Sequence, residues 1–257
     1  MAGALTVSLA LSGGAARGAF HLGVIAAMER LGIEIGAISG TSIGSVIAVG
    51  IGSGVSAFDL LRLFQSKAFR AIFELNYCKG GLFKINEYAA ILKEIAPMED
   101  LEAMKIPTIV TCVDLKQGEV IYFDHGKSIP LAIASSALIP LFRPIVYEGY
   151  ALIDGGFMDN LPIKPLQSFS YPLISVNLFP PSNVYENRFL GGFQKAIGLS
   201  LLASSKQQIM QSDVCISHEG LNQFGLFTFR EMMRCFELGY TCGNETLLTF
   251  MSQKSII

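Results

Sequence analysis

Ser42 stands inside Gly40-Thr41-Ser42-Ile43-Gly44, a G-x-S-x-G pentapeptide with an apolar run on either side. A serine hydroxyl becomes a useful nucleophile when a sharp turn lifts it clear of a sheet and a nearby base takes its proton. Two further stretches carry groups suited to that chemistry. Ser12-Gly13-Gly14-Ala15-Ala16-Arg17-Gly18 is a loop of small residues. The unhindered amides of Gly13, Gly14 and Ala15 can converge on the oxygen of a tetrahedral intermediate, with Arg17 bracing the loop. Asp154-Gly155-Gly156 sets a carboxylate at the end of an apolar run, followed by two glycines that let the chain turn. By itself that aspartate reads as a turn cap. Together with the serine and the amides it points to acyl transfer.

These groups need elements to hold them. Ile33 to Ile38 reads as a short strand and Ile43 to Ile51 as a buried helix, which puts Ser42 on the turn between them. Gly40 and Gly44 suit such a turn because a strand reversing into a helix strains the backbone and leaves no room for side chains beside the serine. The helix N-terminus beside Ser42 also favours negative charge there. Thr6 to Leu11 reads as a buried strand that delivers the chain into the glycine loop, and Ala19 to Leu31 has helical spacing at Phe20, Val24, Ala27 and Leu31. Strand, loop, helix and second strand predict two parallel neighbours in one sheet.

The loop fits two other uses poorly. A P-loop follows its last glycine with Lys and Ser or Thr, whereas Gly18 is followed by Ala19-Phe20. A dinucleotide fingerprint wants glycine at position 15, where this chain has alanine, and no acidic residue follows at the expected distance.

Downstream, Phe58 to Leu75 has helical spacing at Leu61, Phe64, Ala68, Ile72 and Leu75 with more bulky residues on its other faces. It reads as a helix packed on two sides, the competing reading being a greasy cap over the site or a surface for lipid. Gly80-Gly81 interrupts the pattern, and Asn86 has the look of an N-cap for a helix through Ile95. Ile106 to Leu115 and Glu119 to Phe123 read as a hairpin, and Ala132 to Ala137 as a small-residue helix ended by Pro140. Tyr150 to Ile153, Leu173 to Leu178 and Asp213 to Ser217 read as strands, and Phe189 to Met210 and Phe229 to Phe250 as helices. The alternation predicts an α/β protein, a three-layer α/β/α domain.

Composition sets the outer bounds. No linker or low-complexity stretch divides the 257 residues, so residues 1–257 are expected to form a single domain. A formal net charge of −2 gives no basic footprint, and nucleic acid is not an expected partner. Five widely spaced cysteines without a C-x-x-C pair read as reduced thiols in a cytoplasmic protein. The first ten residues lack the basic start of a secretory signal. Ile35 to Phe58 carries no charge over 24 residues, but its glycines, hydroxyl residues and the elbow itself favour buried strand, turn and helix over a membrane span. The three histidines, His21, His125 and His218, are scattered, and no metal site or organic cofactor is expected.

The chain resembles the patatin-like phospholipase family, particularly its compact bacterial members. The resemblance rests on Gly13 to Gly18, Gly40 to Gly44, Ala134-Ser135-Ser136-Ala137 with Pro140 and Pro144, and Asp154-Gly155-Gly156 leading to Asn160-Leu161-Pro162. Glu99-Asp100-Leu101, Val113-Asp114-Leu115 and Phe236-Glu237-Leu238-Gly239-Tyr240 agree as well. It implies a lipid acyl hydrolase with a Ser42-Asp154 dyad: Ser42 attacks the ester, Asp154 takes its proton, and the Gly13 to Ala15 amides form the oxyanion hole. Gly18, Gly40, Gly44, Gly155 and Gly156 support the motifs. One departure is Ala15, where the family loop usually has a third glycine. The implied partner is a fatty-acyl ester, with peripheral membrane contact; oligomeric state is written in none of these features. Two rival readings remain, a Ser42-Asp154-His218 triad in the Ser, acid, His order of α/β-hydrolases, and a catalytically idle interaction module.

Overall fold

The computed structural model describes residues 5–75, 83–87, 89–181, 189–226 and 229–254. Strand β1 (Thr6–Leu11) sends Val7, Leu9 and Leu11 into the main core and Ala10 to the opposite face, the period-2 pattern of a strand covered on both sides. A 3-10 turn (Ala15–Arg17) leads into helix α1 (Gly18–Leu31), then strand β2 (Glu34–Thr41) and helix α2 (Ile43–Gly52). Next come α3 (Ala57–Gln65), α4 (Lys67–Ala71), the two-stranded β3 (Phe73–Leu75) and β4 (Phe83–Ile85), and α5 (Ala90–Ile95). Strand β5 (Thr108–Asp114), β6 (Glu119–Phe123), α6 (Ser128–Ser135), β7 (Ile145–Tyr147) and β8 (Tyr150–Asp154) follow. The chain ends with β9 (Leu173–Val176), α7 (Phe189–Ile209), β10 (Val214–Ile216) and α8 (Met232–Gln253).

The main sheet has the order β10-β9-β1-β2-β5-β8-β7, with β6 on β5. From β10 to β5 all neighbours are parallel, and β6, β7 and β8 run antiparallel to theirs. The pairing of β5 decides where the site forms. One of its edges is filled by β6 from Val110 to Asp114. The other edge is shared end to end: β2 pairs from Thr108 to Thr111, and β8 pairs from Cys112 to Asp114 in the opposite direction. Thr41 therefore lies opposite Thr111, and Asp154 opposite Cys112, one residue apart along β5.

Helices α1, α2, α3 and α8 cover one face of the sheet. Contact between α1 and α8 is so close that a Cβ on Gly23 would strike the Phe236 and Tyr240 backbone, and one on Gly239 the backbone of Phe20. The other face is covered by Leu161, Ile163 and Leu166 packed on Ala10, Ala37 and Ile109, with Ile209 of α7 beside them. The result is an α/β/α arrangement with a thin third layer, its sheet mostly parallel.

Several boundaries differ from the spacing-based expectation. The single helix expected over Phe58 to Leu75 is divided at Ser66, whose backbone is extended (φ −67, ψ 155) and whose side chain caps α4 by accepting from the Phe69 amide at 3.0 Å. Helix α5 starts at Ala90, later than the Asn86 cap expected, and the Asn86 amide donates to the Ile72 carbonyl (2.8 Å). Helix α6 starts at Ser128, ahead of Ala132, since Pro130 falls in its first turn, where a missing N–H costs nothing. A 3-10 turn at Phe229–Glu231 precedes α8. The Gly80-Gly81 break lies outside the described residues. The charge-free window Ile35 to Phe58 holds β2 and α2, and among the described residues no helix is long and apolar enough to cross a membrane.

Candidate active site

Ser42 leaves β2 with φ 55 and ψ −127 and begins α2. That backbone is disfavoured for a residue with a Cβ, at a cost of about 1 to 3 kcal/mol, so its surroundings must hold it. A Cβ on Gly40 would meet the backbone of Gly44, and one on Gly44 would meet the carbonyl of Leu11, so the turn closes only because both positions are bare. The Ser42 carbonyl accepts from the amides of Ser45 (2.9 Å) and Val46 (3.2 Å) and from the Ser45 hydroxyl (2.6 Å). The Ser42 amide donates to Ser135 Oγ at 2.9 Å, and Ser135 Oγ donates to the Thr111 carbonyl at 2.6 Å. Ser135 thus fastens the elbow to β5.

Asp154 arrives from the other direction along that edge, buried, with Oδ1 accepting from the Gly156 amide at 2.8 Å. Its carboxyl is pushed up from 3.8 to about 6 by burial, against the hydrogen bonds from Gly156 and the Ser42 side chain. A carboxylate with that affinity for protons, on the same cavity as a serine hydroxyl, is matched to general-base work near neutral pH. Gly155 admits the close approach to β5: a Cβ there would come within 2.5 Å of the Thr111 carbonyl oxygen.

The glycine loop lies over Ser42, a Cβ position on Gly13 being 3.1 Å from Ser42 Cβ. The Gly13 amide is engaged by Asn160, through Oδ1 (3.1 Å) and the main-chain carbonyl (3.2 Å). The amides of Gly14 and Ala15 have no acceptor among the described residues, which narrows the amides free to hold an oxyanion to these two. Ala15 takes φ 49, a left-handed conformation that glycine would adopt without strain. Arg17 donates from Nε to the Phe224 carbonyl (2.9 Å) and from Nη1 to the Leu178 carbonyl (3.1 Å), and its guanidinium stacks on Phe179. His21, fully buried and pushed down to about 4 by that burial, is a neutral imidazole whose Nε2–H donates to the Ser12 carbonyl at 2.8 Å. Gly18 packs against Ile43 of the elbow helix.

A cavity of about 640 Å³ joins these parts, lined by Gly13, Gly14, Ala15, Ser42, Asp154 and Asn160. The rest of its wall is almost wholly apolar. Ile43, Val46 and Val49 form one face of α2, and Ile129, Ala132 and Ile133 one face of α6. Leu92, Ile95 and Ala96 stand at the α5 end, and Phe69, Ile72 and Phe73 close it from the segment that follows α3. No histidine lines this cavity. His218 is exposed and caps a 3-10 turn, its Nδ1 accepting from the Gly220 amide (2.9 Å), and His125 is an exposed partner of Asp124. The Ser42-Asp154-His218 triad thus has no geometric counterpart, whereas Ser42, Asp154 and the glycine loop share one chamber.

Residues 9–166 match the family described as patatin-like phospholipase, more than half of the chain. This chain belongs to the patatin-like phospholipase family. Among curated relatives it is 29% identical over 170 residues to the lysophospholipase NTE1 of Scheffersomyces stipitis, covering 63% of this chain and 11% of that protein. It is 30% identical over 177 residues to an uncharacterised NTE family protein of Mycobacterium bovis, covering 67% of this chain and 49% of that one. The chain therefore spans about half or less of the length of these relatives. Among solved structures, VipD from Legionella pneumophila aligns with a TM-score of 0.49 at 16% identity, over 95% of this chain and 67% of that one.

Two contributors to the site lie in matched blocks yet give no signal of their own: Ser135, which holds the elbow, and Asn160, which holds Gly13. Both are common residue types whose partners are far away in sequence. Behind them, Thr41 Oγ1 donates to the Asp159 carbonyl (2.9 Å) and Ser39 Oγ to the Pro162 carbonyl (2.5 Å), so β2 carries the segment that positions Asn160.

The raised carboxyl of Asp154 has a consequence for stability. Its folded pKa of about 6 lies above the ordinary 3.8, so ionising it in place opposes folding as pH rises between those values. Asp154→Asn removes that cost and is expected to be more stable than wild type at pH 8, by up to about 3 kcal/mol, with the gain vanishing below about pH 4. Thermal unfolding of both proteins across that range measures it. An equal gain at all pH values would contradict the assignment.

Proposed function

We propose that this chain is a serine acyl hydrolase of lipid esters, working through a Ser42-Asp154 dyad. The observation that carries the reading is the shared chamber: a strained serine and a buried carboxylate with a raised pKa line one cavity together with the glycine loop, and the rest of that cavity is long and apolar. An ester carbonyl placed over Ser42 would direct its oxygen toward the free amides of Gly14 and Ala15. Asp154 takes the hydroxyl proton as Ser42 Oγ attacks the carbonyl carbon. The tetrahedral oxyanion is stabilised by those amides, each contributing about 3 to 4 kcal/mol if well aimed. Collapse expels the alcohol, which leaves with the proton from Asp154. Water, deprotonated by Asp154, then attacks the acyl-enzyme; collapse breaks the Ser42 Oγ–acyl bond, Ser42 Oγ takes the proton back from Asp154, and the fatty acid is released.

The cavity supports a substrate with one long chain in the acyl pocket. Its volume of about 640 Å³ is room for a long fatty-acyl chain with its ester. The lysophospholipase name of the Scheffersomyces stipitis relative fits a single-chain substrate. From Ser42 to Val49 the cavity follows α2 for seven residues, about 10 Å of helix. At that depth Ala96 and Ala132 pack with Val49, and their small side chains leave the distal room.

Hydrolysis of p-nitrophenyl esters with short and long acyl chains tests both statements. Ser42→Ala is expected to lose at least about three orders of magnitude in kcat, and near-normal turnover would overturn the proposal. Ala132→Leu is expected to reduce kcat/KM for the long ester at least about tenfold relative to the short one, one filled methylene site in an apolar pocket being worth that much. A uniform effect on both esters would place the acyl chain elsewhere.

A further inference from the structure

Four segments that line the cavity each carry a phenylalanine on its wall with a basic residue next in sequence: Phe69 with Arg70, Phe83 with Lys84, Phe142 with Arg143, Phe229 with Arg230. The rings form one cluster, Phe69 to Phe229, Phe73 to Phe142 and Phe83 to Phe142 having centroids 6.2 to 6.3 Å apart. Their basic neighbours are therefore gathered around a single rim. All four are exposed, and among the described residues none makes an ion pair. Residues 66–75, 83–85, 138–143 and 229–234 together hold six basic side chains against two acidic, in a chain whose net charge is −2. Of the acidic residues, Glu231 is bound to Arg234 at 2.8 Å. Among the described residues, the cations of these segments without an ion pair are Lys67, Arg70, Lys84, Arg143 and Arg230.

We propose that this basic collar docks the mouth of the cavity on the anionic face of a lipid bilayer. The cations are spread round an apolar opening rather than converging on one point, which suits a charged plane better than a single phosphate, and the Phe cluster behind them faces the lipid that the plane supplies. The proposal rests on the hydrolase reading only for what enters the cavity; docking itself needs no turnover.

Sedimentation of the protein with vesicles of ether-linked phosphatidylcholine, alone or mixed with phosphatidylglycerol, reads binding without ester hydrolysis. Wild type is expected to bind the mixed vesicles, to bind neutral ones far less, and to be released by salt. Arg143→Glu with Arg230→Glu is expected to weaken binding to mixed vesicles at least about thirtyfold, and Arg143→Gln with Arg230→Gln to fall between. Arg30→Glu with Lys105→Glu makes the same change in net charge near the opposite ends of the strands and is expected to bind like wild type. Equal binding to both vesicle types, or equal weakening by the two charge-reversed pairs, would overturn the proposal. Because no ester is cleaved, a failure of the hydrolase reading would leave these results unchanged.

Discussion

The site exists because two strands meet head-on along one edge of β5. Strand β2 ends with Thr41 opposite Thr111 and β8 ends with Asp154 opposite Cys112, so Ser42, the next residue after Thr41, and Asp154 stand at the two strand ends that meet there. Thr111 anchors both ends: its carbonyl accepts from Ser135, which holds the elbow, and lies against Gly155, which turns the chain after Asp154. Side chains at Gly40, Gly44 or Gly155 would push one of the two ends away from the junction.

That junction concentrates features that oppose folding. Ser42 and Ala15 hold positive φ, and Asp154 is a carboxyl buried where its charge is poorly solvated. The opposing stabilisation comes from nearby contacts of ordinary kind. Hydroxyls of Ser39 and Thr41 bond the 159–162 segment, Asn160 bonds Gly13, and Arg17 spans the carbonyls of Leu178 and Phe224. The tight seam between α1 and α8 fixes the helix that follows the glycine loop. Preorganisation of this kind places donors and base before substrate arrives, which is where catalysis by fixed dipoles gains most.

Much of this was legible from local pattern. Apolar runs bounded by small residues gave β1, α1 and the elbow helix nearly residue by residue, because their determinants lie within a few positions of one another, while β2 runs on to Thr41, three residues past its expected end. Legibility failed where determinants are distant or carried by common residue types. Nothing near Gly13 announces that its amide belongs to Asn160, 147 positions away. The division of the 58–75 segment at Ser66 is a cap choice that helical spacing alone cannot show, since the apolar positions stay in phase through the break. Pro130 hides the start of α6 for the opposite reason: it looks like a breaker but sits where a helix tolerates it. The resemblance to a family supplied the link between Ser42 and Asp154 before the β5 register gave its physical cause.

The central claim is that Asp154 acts directly as the base for Ser42, with no histidine between them. The most direct measurement is the rate at which a serine-directed fluorophosphonate labels the protein, followed by intact mass with the site mapped by peptide digestion, from pH 4 to pH 9. The account predicts a single adduct on Ser42, a labelling rate that rises through an apparent pKa of about 6, and loss of labelling in Asp154→Asn but not in His218→Ala. An adduct on another residue, or Ser42 labelling that survives Asp154→Asn with the same pH profile, would contradict it.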